Sequence, residues 1–252
     1  MNPVTARPDP ATALRHDPVV VFPGSWLAGV SLVLGPCLLL TGVLLRLGVP
    51  FFFPDQLAAY QRQPPLIGAA YAVFLAGLIA LWPGIVAVAT RIGVSRPGWA
   101  RWGGGLVMVG LFARVFHHGV NTFAFALVDS AGLNAAEQAV GSYYGHREWV
   151  ISSLSLAVML GWVVLALGCF LSGVLRAVPA LALALMSGLM IGVLKGTTWA
   201  SVVEVTGLAV AFVPLGFALL RGADRPSPRT LGRTVLLVLV FVGSSIVLGQ
   251  LG

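Results

Sequence analysis

Residues 177–220 read AVPALALALMSGLMIGVLKGTTWASVVEVTGLAVAFVPLGFALL, and this stretch decides how the chain is organised. Its 44 residues are mostly apolar, and a single helix of that length would extend about 66 Å. That is about twice the hydrocarbon core of a bilayer, so the stretch has to fold back on itself. Its longest polar interruption is Lys195-Gly196-Thr197-Thr198. We therefore expect a tight turn at these four residues, between two membrane spans.

The composition of the whole chain points to the same environment. Apolar residues make up 58% of the sequence and charged residues only 9%, whereas about 25% of an ordinary soluble domain is charged. A soluble protein of this size would expose large apolar patches, but in a bilayer the hydrocarbon itself is the solvent. The sequence therefore predicts an all-α polytopic membrane protein.

Seven segments are long and apolar enough to cross the hydrocarbon core, which takes about 20 residues. They are 26–48, 66–90, 101–127, 149–172, 177–195, 197–220 and 233–251. We expect a seven-helix transmembrane domain over residues 26–252. Residues 1–25 are polar and rich in proline, and they are predicted to form a disordered cytoplasmic tail rather than a cleaved signal peptide.

The distribution of basic residues predicts the orientation of these spans, because cytoplasmic loops carry the excess of Lys and Arg. With seven spans, ten basic residues fall on the N-terminal side and four on the other. The four are Arg46, Arg62, Arg147 and Lys195. The N-terminus is therefore expected in the cytoplasm and the C-terminus outside. The net charge of +7 is explained in this way, and no basic, aromatic-rich surface for nucleic acid is recognisable.

Two of the predicted outer loops are long. Residues 50–65 carry three phenylalanines, at positions 51–53, which predict a segment lying at the membrane interface. Residues 128–148 carry Asp129, Tyr143 and Tyr144 among other polar and aromatic residues. The abundance of Arg, Ala and Gly is typical of a GC-rich bacterial genome. We accordingly expect a multi-pass protein of the bacterial plasma membrane.

A few ionisable residues lie inside the predicted spans, where each is costly and usually has a partner or a function. Arg114, His117 and His118 lie in the third span, followed one turn later by Asn121. Helical spacing brings these side chains onto one stripe. A second stripe, in the sixth span, consists of Thr197, Ser201 and Glu204. Both stripes are expected to face the interior of the bundle.

Arg114 and Glu204 are predicted at the same depth, each about 10 Å from the outer edge of the membrane. We expect them to form an ion pair beside His117. Ser152 and Tyr71 fall near the same level, which predicts a polar pocket closed by the two long outer loops. The alternative is that the pair only fixes the register of two helices.

The sequence contains no motif with a fixed mechanism. Neither a phosphate-binding glycine loop nor an HExxH or GxSxG motif is present. Cys37 and Cys169 lie in different apolar spans without metal-type spacing. His117 and His118 are adjacent and so point to different sides of a helix. Neither a cofactor nor a metal is predicted.

Three classes of function remain open. The first is a non-enzymatic protein that binds or moves a small amphiphilic, lipid-like ligand through residues of the predicted pocket. The second is a membrane enzyme for a lipid or isoprenoid substrate, in which Glu204 or Asp129 donates a proton and His117 acts as the base. The third is a membrane subunit of an export or immunity complex, associated with a partner subunit or with further copies of itself.

Overall fold

The computed structural model describes residues 22–146, 149–223 and 226–251. Within these ranges the chain is helical and contains no strand. Nine α-helices follow one another along the described chain. They are α1 (Gly24–Leu44), α2 (Phe53–Arg62), α3 (Pro64–Ser95), α4 (Pro97–Ala131), α5 (Leu133–Gly145), α6 (Trp149–Leu171), α7 (Ala177–Ala184), α8 (Trp199–Gly222) and α9 (Pro228–Leu251). The predicted tail over 1–25 falls mostly outside the described residues.

Four of the described helices are long and apolar enough to cross a membrane. They are Gly24–Leu44, Pro64–Ser95, Ser153–Leu171 within α6, and Trp199–Gly222. Helix α4 is longer than any of these at 35 residues, but Arg114, His117, His118 and Asn121 lower its hydropathy. The chain is therefore an all-helical protein whose apolar helices suit a bilayer.

Glycines allow the long helices to approach one another closely. Helix α1 packs between α3 and α8, and α4 packs against α3 and α6. A Cβ at Gly77 of α3 would lie 2.7 Å from the backbone nitrogen of Leu39 in α1, and one at Gly161 of α6 would lie 2.8 Å from that of Val107 in α4. Such contacts between small residues are how apolar helices gain packing energy in lipid, where no hydrophobic force drives them together.

The α1–α3 contact also provides hydrogen-bond partners for backbone groups of α3 next to Pro83. The Ser31 hydroxyl donates a hydrogen bond to the carbonyl oxygen of Ala80. The Oγ of Ser31 in turn accepts a hydrogen bond from the backbone N–H of Gly84 at 2.7 Å. Ser31 therefore bridges a donor and an acceptor that would pair directly in a regular helix. This inserted hydroxyl satisfies the groups that a proline disturbs inside an apolar bundle.

The predicted fifth helix, over 177–195, is shorter than expected. Helix α7 continues as one 3-10 turn, Leu185–Gly188, and the chain then runs without helix through residues 189–198. We call residues 189–198 the broken segment. The polypeptide turns at Val193–Leu194, slightly before the turn predicted at 195–198, and α8 begins at Trp199.

Gly188, Gly192 and Gly196 follow one another at four-residue intervals, a spacing typical of close helix packing. They do not form one helical stripe, because helical structure ends at Gly188. Gly192 has φ +151°, and a Cβ at Gly196 would lie 2.7 Å from the Cα of Phe51. Leu194 also has a positive φ, of 49°. The spacing of glycines that resembles a helix-packing motif therefore serves an irregular backbone and its close approach to the segment before α2.

Helices α2 and α5 lie within the two long loops and cover one end of the bundle, which we call the capped end. They pack on each other, and α2 also contacts α3 and α4. Leu57 of α2 and Ala136 and Val140 of α5 are buried there in one apolar cluster with Val193 of the broken segment. Helix α9, in contrast, packs against no other helix of the described chain.

Candidate functional site

The broken segment is the part of the bundle whose backbone most needs outside partners. A helix satisfies its own N–H and C=O groups, whereas an irregular backbone in an apolar interior has to find donors and acceptors elsewhere. Leu189, Val193, Leu194 and Thr197 are all buried. Side chains of α4 and α5 and a backbone carbonyl of α1, rather than a regular helical pattern, provide their hydrogen-bond partners.

Arg114 of α4 holds the beginning of the broken segment. Its Nη2 donates to the carbonyl oxygen of Leu189 at 2.5 Å, and its Nη1 donates to that of Met190 at 3.2 Å. Hydrogen bonds from a charged donor are stronger than neutral ones. The buried guanidinium therefore replaces the intrahelical donors that these two carbonyls lose where the helix stops.

The centre of the segment is held from α4 and α5. The Asn121 side-chain oxygen accepts a hydrogen bond from the backbone N–H of Leu194 at 2.7 Å. The Tyr144 hydroxyl donates to the carbonyl oxygen of Val193 at 2.5 Å. The two residues of the turn, Val193 and Leu194, thus have partners on two different helices.

The end of the segment is held from α1 and by the start of α8. Arg46, just after α1, donates through Nη1 to the carbonyl oxygen of Lys195 at 3.4 Å. The Thr197 hydroxyl donates to the carbonyl oxygen of Val43 at 3.1 Å. Thr198 and Ser201 then form a reciprocal capping box that starts α8, which satisfies two of the free N–H groups at a helix start.

Tyr71 links Arg46 to the capped end. The guanidinium carbon of Arg46 lies 4.2 Å from the centre of the Tyr71 ring, within the range of a cation–π contact. The Tyr71 hydroxyl donates to the side-chain oxygen of Gln56 at 3.0 Å. The Gln56 amide nitrogen in turn donates to the carbonyl oxygen of Pro50 at 2.7 Å. This buried chain ties α1, α3 and α2 together beside the broken segment.

A cavity of about 60 Å³ lies between the broken segment, α1, α3, α4 and the start of α8. Its basic and imidazole side chains are Arg46, Arg114, Lys195, His117 and His118, and its neutral polar ones are Tyr71, Asn121, Thr197 and Ser201. Its apolar wall includes Val43, Phe74, Leu78 and Ile191. None of the described residues that line it is acidic. The cavity therefore presents positive charge and hydrogen-bond donors inside an apolar frame.

The predicted ion pair between Arg114 and Glu204 is not seen. Within the described part of the chain, Arg114 donates its hydrogen bonds to backbone carbonyls of the broken segment. Glu204 is half-buried, and its carboxylate lies against Gly188, where a Cβ would overlap it. The two charges attract each other through space without an ion-pair contact. The reason is that the fifth helix ends early. The carbonyl oxygens of Leu189 and Met190 then have no helical donor, and they accept hydrogen bonds from the Arg114 guanidinium instead.

Most of the predicted ligand-binding residues come together in the cavity. His117 and His118 line it, with the His117 Nδ1 2.8 Å from the carbonyl oxygen of Ala113 and the His118 ring 6.4 Å from that of Tyr71. Asn121 and Ser201 line it as well. The side chain of Ser152 lies outside the described part of the chain.

The residues suggested for acid–base chemistry do not meet. Asp129 lies near the end of α4, where its Oδ2 accepts a hydrogen bond from the Tyr60 hydroxyl at 2.8 Å. Neither Asp129 nor Glu204 is among the lining residues of the cavity, whereas His117 is. Neither proposed acid, Asp129 or Glu204, therefore faces the proposed base His117 across the cavity.

Sequence reasoning missed two basic residues of the cavity, Arg46 and Lys195. Both were counted as loop charges, yet Arg46 is buried. The signal was available, because Arg46 falls inside the predicted first span and Lys195 ends the fifth. The Lys195 ammonium lies 5.3 Å from the Phe51 ring centre and 5.2 Å from that of Tyr144. It is thus flanked by aromatic faces.

No family model, no curated protein and no solved structure matches this chain. Its function has to be inferred from its own side chains. In the described residues these supply a donor-rich cavity of small volume, bounded by apolar helices and by an irregular piece of backbone. Such a cavity is suited to holding a polar group and is poorly suited to holding a large ligand in full, because drug-sized pockets run to several hundred Å³.

Proposed function

We propose that this protein is a multi-pass protein of the bacterial plasma membrane that binds or moves a small amphiphilic ligand through the cavity at its capped end. The observation that carries the proposal is a polar, donor-rich cavity built among apolar helices. A ligand with a polar head and an apolar tail matches both parts. The head would enter the cavity and the tail would lie along the helices.

The position of the cavity supports an amphiphile over a fully polar solute. Met190 belongs to the lining and is 64% exposed, so the cavity borders the outer surface of the helix bundle. The apolar wall, with Phe74 and Leu78 among its members, continues the hydrophobic surface inward. A tail that leaves the cavity past Met190 would remain in contact with apolar side chains and lipid.

The topology proposed with this function has seven spans, with the N-terminus in the cytoplasm. Four of the expected spans overlap the candidate membrane helices within α1, α3, α6 and α8. The proposal assigns the other three to α4, to α9 and to α7 with the broken segment. Two of the four basic residues assigned to the outer side, Arg46 and Lys195, line the cavity rather than a free loop. If these two residues are not counted as loop charges, the excess of basic residues on the N-terminal side of the membrane becomes larger. This favours a capped end on the extracytoplasmic side.

The placement of the carboxylates favours binding over acid–base chemistry. An enzyme acting on a lipid or isoprenoid would need Glu204 or Asp129 across the cavity from His117, and neither lines it. A binding or transport role requires only the polar cavity and access from the membrane. The same cavity would serve a protein that presents its ligand to a partner subunit or to another copy.

The test is to fill the cavity without removing a polar group. Val43→Phe adds bulk to the apolar wall, and Val210→Phe is its matched control, because Val210 is exposed on α8. Native mass spectrometry of protein purified from its membrane measures the retained lipid-like ligand. We expect wild type and Val210→Phe to retain it and Val43→Phe to lose it. Equal retention by all three folded proteins would contradict the proposal.

A further inference from the structure

We propose that the group held in the cavity is an oxyanion of the phosphate type, either as the headgroup of the amphiphile or as the free ion. This inference rests on the proposed function and names the chemistry of its ligand. It follows from the sign of the charges around the cavity, from an unpartnered buried donor and from the volume available. None of these depends on the membrane orientation.

The charge around the cavity is one-sided. Arg46, Arg114 and Lys195 bring three cationic groups to its lining, and none of the described lining residues is acidic. Burying a charge without a counter-charge is costly, and the cost grows as water is excluded. Backbone carbonyls and aromatic faces offset part of that cost for these three residues. A bound anion would provide the neutralising charge that the described lining lacks.

Glu204 does not fill this role. Its carboxylate attracts Arg114, but it lies against Gly188 and outside the lining of the cavity. Since it can neutralise at most one of the three cations, the cavity retains an excess of positive charge. The Glu204 carboxylate thus lies beside the 3-10 turn, apart from the positively charged cavity.

An unpartnered donor provides the second observation. The Nε of Arg114 is buried and has no hydrogen-bond partner in the described chain, although Nη1 and Nη2 of the same group are both occupied. Buried donors almost always have a partner, so this N–H of a lining residue is available to an acceptor bound in the cavity. Asn121, Thr197 and Ser201 add polar groups on the same lining. Oxyanions accept several hydrogen bonds at once and match such a set.

The volume fits a single tetrahedral oxyanion. The cavity measures about 60 Å³, well above the roughly 10–15 Å³ that a cavity needs to hold one water. It therefore has room for a small polyatomic ion. It is also far smaller than the several hundred Å³ of a drug-sized pocket, so the favoured amphiphile carries a small phosphate monoester.

The test compares three soluble probes by isothermal titration calorimetry, with the full chain in a phosphate-free maltoside detergent. The probes are inorganic phosphate, dihexanoyl phosphatidic acid, and dihexanoylglycerol as the uncharged analogue. We expect phosphatidic acid to bind at least about tenfold more tightly than dihexanoylglycerol, a difference of roughly 1.4 kcal/mol. Raised chloride concentration should weaken this binding, because it screens and competes for the cations.

The outcomes distinguish failure of the oxyanion inference from failure of the proposed function. Binding of phosphatidic acid, with or without weaker binding of phosphate, supports both. Binding of inorganic phosphate at equal strength supports the oxyanion site and contradicts the amphiphile. Equal binding of phosphatidic acid and dihexanoylglycerol overturns the oxyanion inference and leaves the proposed function standing. Absence of binding by all three probes overturns both.

A pair of charge variants assigns the binding to the cavity. Lys195→Gln removes a lining cation, and Arg62→Gln removes an exposed cation from the end of α2 at the same end of the bundle. We expect Lys195→Gln to weaken phosphatidic acid binding about tenfold, by roughly 1.4 kcal/mol. Arg62→Gln should leave it unchanged. An equal loss in the two variants would show attraction to the general surface and would contradict the site.

Discussion

Asn121 of α4 and Leu194 of the broken segment are joined by a 2.7 Å hydrogen bond from the Leu194 backbone N–H to the Asn121 side-chain oxygen. Leu194 is fully buried and has a positive φ, so its N–H has no regular helical partner. One amide side chain therefore helps to fix the backbone conformation at the wall of the cavity.

Replacing Asn121 with leucine should destabilise the protein by about 1–3 kcal/mol, because it leaves a buried N–H without an acceptor. The exposed Asn134 of α5 provides the matched control, and Asn134→Leu should change stability by no more than about 0.5 kcal/mol. Thermal unfolding in detergent, followed by tryptophan fluorescence, measures both. Similar shifts in the two variants would argue against the assigned role of Asn121.

Ser31→Ala should also destabilise the bundle, by about 1–3 kcal/mol, since the buried Gly84 N–H loses its acceptor next to Pro83. Ser130 makes only an exposed bond to its own helix, so Ser130→Ala is expected to be close to neutral. Equilibrium unfolding of the two variants gives the comparison. A neutral Ser31→Ala variant would mean that α3 satisfies its own backbone at the kink.

Gly207→Ala should weaken the contact between α7 and α8. A Cβ at Gly207 would overlap the carbonyl oxygen of Ala182, which is backbone and cannot rotate away. Overpacking of this kind typically costs about 1–3 kcal/mol. Gly119→Ala, in α4, meets no atom within 4 Å and should be neutral or stabilising by up to about 1 kcal/mol. In thermal unfolding we expect a lower melting temperature for Gly207→Ala and an unchanged or higher one for Gly119→Ala, and an equal decrease in both would contradict the contact.

Tyr144 provides a pH-dependent test at the capped end. Burial raises the pKa of its hydroxyl to about 12, with further contributions from Tyr143 and Tyr71. A folded pKa above the unfolded value near 10 stabilises the protein below pH 10, and this stabilisation is lost as the pH rises toward 12. The measurement is the phenolate absorbance of the wild-type protein minus that of Tyr144→Phe, followed as the pH rises. This difference should appear near pH 12. Titration of that signal near pH 10 would contradict the partial burial of the hydroxyl against the broken segment.

Hydropathy alone locates most of the long helices. The expected spans 26–48 and 66–90 differ from α1 and α3 by a few residues at each end, because an apolar run of about 20 residues has few other conformations in a bilayer. The fifth span was wrong over 189–195, since an irregular backbone buried in protein can be as apolar as a helix. Hydropathy reports the surroundings of side chains and not the path of the backbone.

The polar stripe on α4 was visible in the sequence, but its partners were not. Arg114 and Asn121 are buried as their helical spacing implies. Their partners are backbone groups of Leu189, Met190 and Leu194, and a carbonyl or an N–H leaves no trace in a sequence. Residue types alone suggest only an oppositely charged side chain as the partner of Arg114, which is why the sequence predicts an ion pair with Glu204.

The broken segment has a consequence for the order in which the chain is made. Five residues form hydrogen bonds with residues 189–196 of the segment, and all five precede residue 189 in the chain: Arg46, Phe51, Arg114, Asn121 and Tyr144. Because chains fold from the N-terminus during synthesis, the ribosome delivers this stretch to a binding surface that already exists. A circular permutation that began translation at residue 177 would present the stretch before its partners and should lower the yield of inserted protein.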